Sequence, residues 1–208
     1  MAVPGVSLEL LDWRRRVFTL YAEVRAAADP AAAHEHWRVV RDDLLRSHPQ
    51  SPISADRQGD FPGARYAPYD ASLRFELVVD ADVPPARLEV PTGTDGVVPF
   101  ERIGVLHLPG LGDLDVWWLA SYGGGVFVPI KDAGAGRTTY GGGRYLLDTV
   151  KGADLGGGVR DGDARERWLM VDLNFAYNPS CAYDPAWACP LAQAGNTLPV
   201  PVNAGELS

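Results

Sequence analysis

The chain has 208 residues, 46% hydrophobic and 22% charged, which is the composition of a globular protein with a real core and the length of one large domain. Lys and Arg total 19 against 27 Asp and Glu, a formal charge of -8. That balance lacks the basic footprint that nucleic acid or an anionic membrane surface requires, so neither is expected as a partner. There is no charged-then-apolar leader and no apolar run of membrane-spanning length, and two cysteines are too few for a disulfide scaffold. A cytoplasmic, reduced setting is therefore expected.

Residues 7–28 predict a helix capped by Ser7, with Leu11, Phe18, Tyr21 and Val24 near helical spacing. The run Arg14, Arg15, Arg16 reads as a solvated helix face. Asp29 and Pro30 end this helix and start another over 31–46, with Asp as the cap and Pro in the first turn; Trp37, Val40 and Leu44 share its apolar face. His34 and His36 are two apart, without the spacing of a helical metal pair, and both are expected at the surface. Four prolines and two glycines over 47–69 predict an ordered loop with one helical turn after Ser54. His48 is the one histidine there that could line a site; a structural role is the alternative.

From residue 70 the period changes to two. Leu73, Phe75 and Leu77 alternate with Arg74 and Glu76. Further strands are expected at 87–90, 97–108, 115–121, 126–130, 144–147 and 168–175, with a hairpin turning through residues 122–125. Residues 152–163 predict a flexible surface loop. Short, even turn spacing suits an antiparallel arrangement rather than repeated βαβ units. The expected fold is α+β: two N-terminal helices packed on a mainly antiparallel β-sandwich or barrel, as a single domain over 1–208 with a helical segment at 1–46 and a β-rich body at 70–208.

Two stretches concentrate chemistry. Residues 171–189, VDLNFAYNPSCAYDPAWAC, carry Asp172, Asn174, Tyr177, Asn178, Tyr183, Trp187 and both cysteines. On a continuous strand Asp172 and Asn174 share one face, lining a cavity or meeting water. Residues 131–145, KDAGAGRTTYGGGRY, are glycine-rich but fail the phosphate-loop and dinucleotide patterns, because no Lys-Ser/Thr pair and no helix follow. They form either a plain hairpin whose turn needs positive φ, or one that brings Asp132, Tyr140 and Arg144 to one pocket, with Arg144 gripping a carboxylate or phosphate. Arg144 shares a strand face with Leu146, so partial burial is expected, with Asp132, Asp172 or a ligand as its partner. Cys181 and Cys189 lack further ligands for zinc, and no metal is expected. Buried structural thiols, a reactive thiolate and a disulfide across the loop remain three readings of the pair.

Four stretches in order resemble the DUF1684 family, a bacterial and archaeal domain of unknown function of about this length. The first is His48, Pro49, Gln50, Ser51 and Pro52. The second is Lys131 and Asp132 with Thr139, Tyr140, Gly141, Gly143, Arg144 and Tyr145. The third is Asp172, Leu173 and Asn174 with Tyr177, Asn178, Pro179, Cys181, Ala182 and Tyr183. The fourth is Cys189, Pro190, Asn196, Ala204, Gly205 and Glu206. Leu173 stands before Asn174 where the family usually has Phe, and Leu191, Ala192 and Gln193 stand where it tends to have Pro-Pro. The resemblance carries no activity; it implies that these residues gather around one site.

The functional expectation is an enzyme acting on a small, polar, carboxylate-bearing metabolite by general acid–base chemistry in one pocket. Asp132, Tyr140, Asp172, Tyr177 and Cys181 are the catalytic candidates. Lys131, Arg144, Asn174, Asn178, Tyr183 and Asn196 are the substrate-binding candidates. No cofactor is expected; the partner is a small molecule, and a homo-oligomer is compatible with the pattern. The alternatives are a non-catalytic binding domain and a buried polar network that only fixes the fold.

Overall fold

A computed structural model describes residues 4–91, 96–160 and 166–208. Helix α1 (Pro4–Ala26) and helix α2 (Pro30–Ser47) are separated by a short break at Asp29. Asp29 is extended, its carboxylate accepts the Ala31 N–H at 2.9 Å, and Pro30 takes the first helical position, where no N–H is needed. Ser7, expected as the cap of the first helix, lies inside it: α1 already begins at Pro4. Its inward face is Trp13, Val17, Leu20, Tyr21 and Val24, and Leu11 and Phe18 remain exposed. Arg14, Arg15 and Arg16 lie on the solvated face. The single turn expected after Ser54 is α3 (Ala55–Gln58).

Among the described residues eight strands follow: β1 (Arg74–Val78), β2 (Arg87–Pro91), β3 (Val97–Leu108), β4 (Gly112–Leu119), β5 (Val126–Ile130), β6 (Arg144–Asp148), β7 (Gly157–Val159) and β8 (Arg167–Asp172). They form two antiparallel sheets, β1-β8-β7 and β2-β3-β4-β5-β6, joined at one point by the Asp80–Val105 bridge. Neither sheet closes on itself, so the barrel alternative is not realised. Both sheets and both helices contribute to one apolar core. Leu20 and Trp37 come from the helices, Leu106, Leu114, Val128 and Leu146 from the larger sheet, and Met170 and Val171 from the smaller. Phe100, Trp117, Phe127 and Tyr145 form a second aromatic cluster, and every residue of β6 is buried.

Three expectations are corrected. The strand expected at 168–175 stops at Asp172, where the chain enters a 3-10 turn (Leu173–Phe175). The Asp172 carboxylate accepts the Asn174 N–H at 3.1 Å, and this local bond replaces a ladder bond. Asp172 and Asn174 therefore do not share a strand face. The surface loop at 152–163 is partly regular, since β7 pairs with β8; residues 161–163 lie outside the described residues. His34 is buried at 2% exposure, whereas His36 is exposed and pairs with Glu23 at 2.8 Å. His34 precedes Trp37 by one turn, which puts it on the inward stripe, stacked on Trp37 at 5.7 Å and edge-on to Phe175 at 5.4 Å.

Burial, assisted by the positive charge of Arg38, lowers the His34 pKa from 6.5 to about 4. Between those values the unfolded chain binds a proton that the folded chain refuses, so stability falls as pH drops through this window. The full loss is about 3 kcal/mol at roughly 1.4 kcal/mol per unit. Urea unfolding at about pH 7 and about pH 4.5 is expected to show this loss in the wild type and a smaller one in His34→Phe. Equal losses in both proteins would remove His34 as the cause.

Candidate functional site

Residue 144 opens β6, and its side chain runs into the core at 1% exposure. Arg144 Nη2 donates to Asp132 Oδ2 at 3.0 Å and to the Val202 carbonyl at 3.1 Å. Nη1 donates to the carbonyls of Ala204 and Glu206. Asp132 in turn accepts the Gly134 N–H at 2.7 Å, the Thr139 hydroxyl at 2.9 Å and the Val202 N–H at 3.3 Å. Burial pushes the Arg144 pKa below its ordinary value, and Asp132 opposes that shift. This pair is a closed internal network: nearly every donor and acceptor is spent on the chain itself. The 131–143 connection is thus a hairpin loop tied down at its base, with Gly143 at φ 88° where a Cβ would meet the Ile130 carbonyl at 2.8 Å.

The other candidates divide among separate places. Tyr140 does not join Arg144; its hydroxyl donates to the Cys181 carbonyl at 3.3 Å, and burial raises its pKa to about 12. The Lys131 main chain bonds Asn196 and Leu198. Asn196 is wholly buried, donating to the carbonyls of Asp115 and Pro129 and accepting from Trp117 Nε1 at 2.8 Å. Asp172 and Asn174 form a cluster with Tyr69, Asp70 and Arg74. There burial raises the Asp172 pKa against the opposing pull of Asn174, Tyr69 and Arg74. His48 is buried and structural, bridging Asp12 at 3.2 Å and accepting the Gln50 N–H at 3.0 Å.

Asn178 and Tyr183 meet at a residue outside the candidate set, Glu206. Its carboxylate, 1% exposed, accepts Arg41 Nε at 3.1 Å, Arg41 Nη2 at 2.9 Å, the Asn178 N–H at 3.0 Å, Asn178 Nδ2 at 3.0 Å and the Tyr183 hydroxyl. Burial disfavours the Arg41 charge, but Glu206 and the surrounding tyrosines more than offset it and hold its pKa well above the ordinary value. The Glu206 carbonyl also receives Arg144, so the Arg144 and Asn178 motifs meet back to back through the C-terminal tail.

Beside Glu206, between the two helices and β6, lies a cavity of about 100 Å³. Trp13, Val17, Leu20, Leu44, Leu45 and Pro52 supply its apolar wall, and Tyr21, Arg41, Asp148, Lys151, Tyr177 and Tyr183 its polar one. The Arg41 guanidinium lies 4.7 Å from the Tyr177 ring centroid and 5.9 Å from that of Trp37. Tyr21 accepts from Trp37 Nε1 at 3.2 Å, yet its own hydroxyl proton has no acceptor among the described residues. The Tyr177 hydroxyl and Arg41 Nη1 likewise have none there. Burial raises the pKa of Tyr21, Tyr177 and Tyr183, so all three remain protonated donors. Lys151 Nζ stands 3.3 Å from Asp148 Oδ2. Arg41 did carry a sequence signal: it falls one turn after Trp37, a charge beside an apolar helical stripe. Glu206 carried one through the family resemblance, which groups it with Asn178 and Tyr183; Tyr21, Asp148 and Lys151 carried none that pointed here.

Because the Arg144–Asp132 pair is buried and internal, Arg144→Lys is expected to lower unfolding free energy by about 1–3 kcal/mol. Asp132→Ala, which leaves the guanidinium unpaired, should cost about 3–5 kcal/mol. Guanidinium unfolding of both variants checks the order; an Asp132→Ala protein no less stable than wild type would contradict the network.

Among the described residues no helix is long and apolar enough to cross a membrane, and no group of three or more His, Cys, Asp or Glu is placed to hold a metal ion. No curated protein matches the chain. Among solved structures it is similar to the solution NMR structure of the uncharacterised protein from gene locus rrnAC0354 of Haloarcula marismortui. The two are 31% identical with a TM-score of 0.58, over 82% of this chain and 90% of that one. Residues 59–207, which contain β1 to β8, the Arg144 network and Glu206, match the family described as protein of unknown function (DUF1684), and the chain belongs to that family.

Proposed function

We propose that the protein binds a small carboxylate-bearing molecule with an apolar body in the cavity between α1, α2 and β6, and that it acts there as a binding domain rather than a catalyst. One observation carries this reading: Arg41 Nη1 and the hydroxyls of Tyr21 and Tyr177 belong to one cavity wall and have no acceptor among the described residues. These donors belong to the cavity wall, and a carboxylate, with about four lone-pair sites, satisfies several donors at once. Lys151 offsets the Asp148 charge that would otherwise repel such a ligand. The apolar wall receives the ligand's hydrocarbon part. A cavity of about 100 Å³ admits a small molecule of this kind.

Binding is favoured over acid–base catalysis because Asp132, Asp172, Cys181 and Tyr140 are engaged or poorly tuned, and burial keeps the Tyr177 hydroxyl protonated. Asp132 is committed to Arg144, Thr139 and two main-chain N–H groups. Asp172 lies in the Tyr69 and Asn174 cluster. Burial raises the Cys181 thiol to about 11 and the Tyr140 hydroxyl to about 12, far from a general base working near neutrality.

Calorimetric titration with butyrate, hexanoate and benzoate, with hexylamine as the oppositely charged control, tests the proposal. At least one carboxylate should bind saturably and the amine should not. Tyr177→Phe removes a hydroxyl with no acceptor among the described residues, so its melting temperature should stay near wild type. Its affinity for the carboxylate should fall about tenfold, the loss of one hydrogen bond to a charged group. Absence of binding by all three carboxylates, or an unchanged affinity in Tyr177→Phe, would overturn the assignment.

A further inference from the structure

We propose that Cys181 and Cys189 are an oxidisable thiol pair that a hydroperoxide converts to a disulfide, closing the loop between them. Both cysteines are free and half-buried. The Cys181 N–H donates to Cys189 Sγ at 3.4 Å, so the two residues stand against each other although eight positions separate them. The intervening chain is coiled tightly enough to keep them there. A 3-10 turn (Ser180–Ala182) begins it, the N–H groups of Tyr183 and Asp184 both return to the Ser180 carbonyl, and the Trp187 N–H returns to Asp184. Tyr140 fixes Cys181 from the other side, donating to its carbonyl at 3.3 Å and lying 3.7 Å from its sulfur.

The two sulfurs are not equivalent. Cys189 lines the cavity, and a hydroperoxide reaches it from there. Cys181 is not among the cavity-lining residues, so it is the more sheltered of the two sulfurs. The first step is therefore assigned to Cys189. Its deprotonated sulfur attacks one peroxide oxygen, the O–O bond breaks, and the other oxygen leaves as water after taking up a proton, giving a sulfenic acid. The Cys181 sulfur then attacks Cys189 Sγ. The S–S bond forms, the S–O bond breaks, and the hydroxyl leaves as water with the Cys181 proton. In total two thiols lose two electrons and two protons, and one hydrogen peroxide becomes two waters. None of these steps needs a ligand in the cavity; the peroxide needs it unoccupied.

The test is intact-mass analysis and iodoacetamide labelling of the full chain after hydrogen peroxide, with Cys181→Ser and Cys189→Ser alongside. In the wild type, both alkylatable thiols should disappear, the mass should fall by two hydrogen atoms, and dithiothreitol should restore both. Cys181→Ser should instead gain oxygen at Cys189, and Cys189→Ser should keep its remaining thiol. A wild-type protein that retains two alkylatable thiols, gains only oxygen, or links to a second chain would overturn the proposal. So would a Cys189→Ser protein that oxidises as fast as Cys181→Ser.

Discussion

The carboxylate of Glu206 draws together three segments that are distant in sequence: Arg41 on α2, Asn178 after the last strand, and Tyr183 in the cysteine loop. Burying a carboxylate costs several kcal/mol unless its lone pairs are filled and its charge is matched. Here two oxygens receive five hydrogen bonds, one partner being a guanidinium. The arrangement fixes α2 against the tail and sets the floor of the cavity. The tail reaches it only because Gly205 adopts φ 69°, with its α-carbon so close to Ala176 that a Cβ would lie 2.3 Å from that carbonyl.

The two buried arginines illustrate how the same residue type serves different ends. Arg144 is enclosed by four acceptors of the chain itself and works as a brace between β6, the hairpin loop and the tail. Arg41 spends part of its fork on Glu206, Asn178 and Tyr183 and leaves one nitrogen facing open space. Such buried pairs contribute little net stability compared with well-packed apolar residues, but their geometry admits few alternatives. Arg144, the residue that looked most like a ligand clamp in the sequence, is the one most completely used up by the fold.

Much of the architecture was legible because it rests on local signals. Asp29 and Pro30 mark a helix boundary by capping chemistry alone, and the bounds of β3 follow from alternation over 97–108. The exceptions arose where a side chain competed with the backbone pattern. Asp172 ends its strand by capping a turn, which alternation cannot register. The spacing from His34 to His36 says nothing of burial, whereas its spacing to Trp37 puts it on the inward stripe. The site was less legible for a different reason. Residues grouped by motif, such as Tyr140 with Arg144 or Asp172 with Asn178, are near in sequence but face different interiors. The cavity instead collects Tyr21, Arg41, Lys151 and Tyr183 from four remote positions. Only long-range pairing brings those together, and no local pattern encodes it.

The cavity has walls from two sources: α1 and α2 supply most of the apolar side, and the body supplies Asp148, Tyr177 and Tyr183. Residues 59–207 match the family, so the helical wall lies ahead of the matched span. A compound held between two such walls favours the state in which they are closed on each other, in proportion to its occupancy. Helix docking and ligand capture are then two readings of one equilibrium. A change that loosens the helices from the body, even far from the cavity, lowers affinity to the extent that it depopulates the docked state.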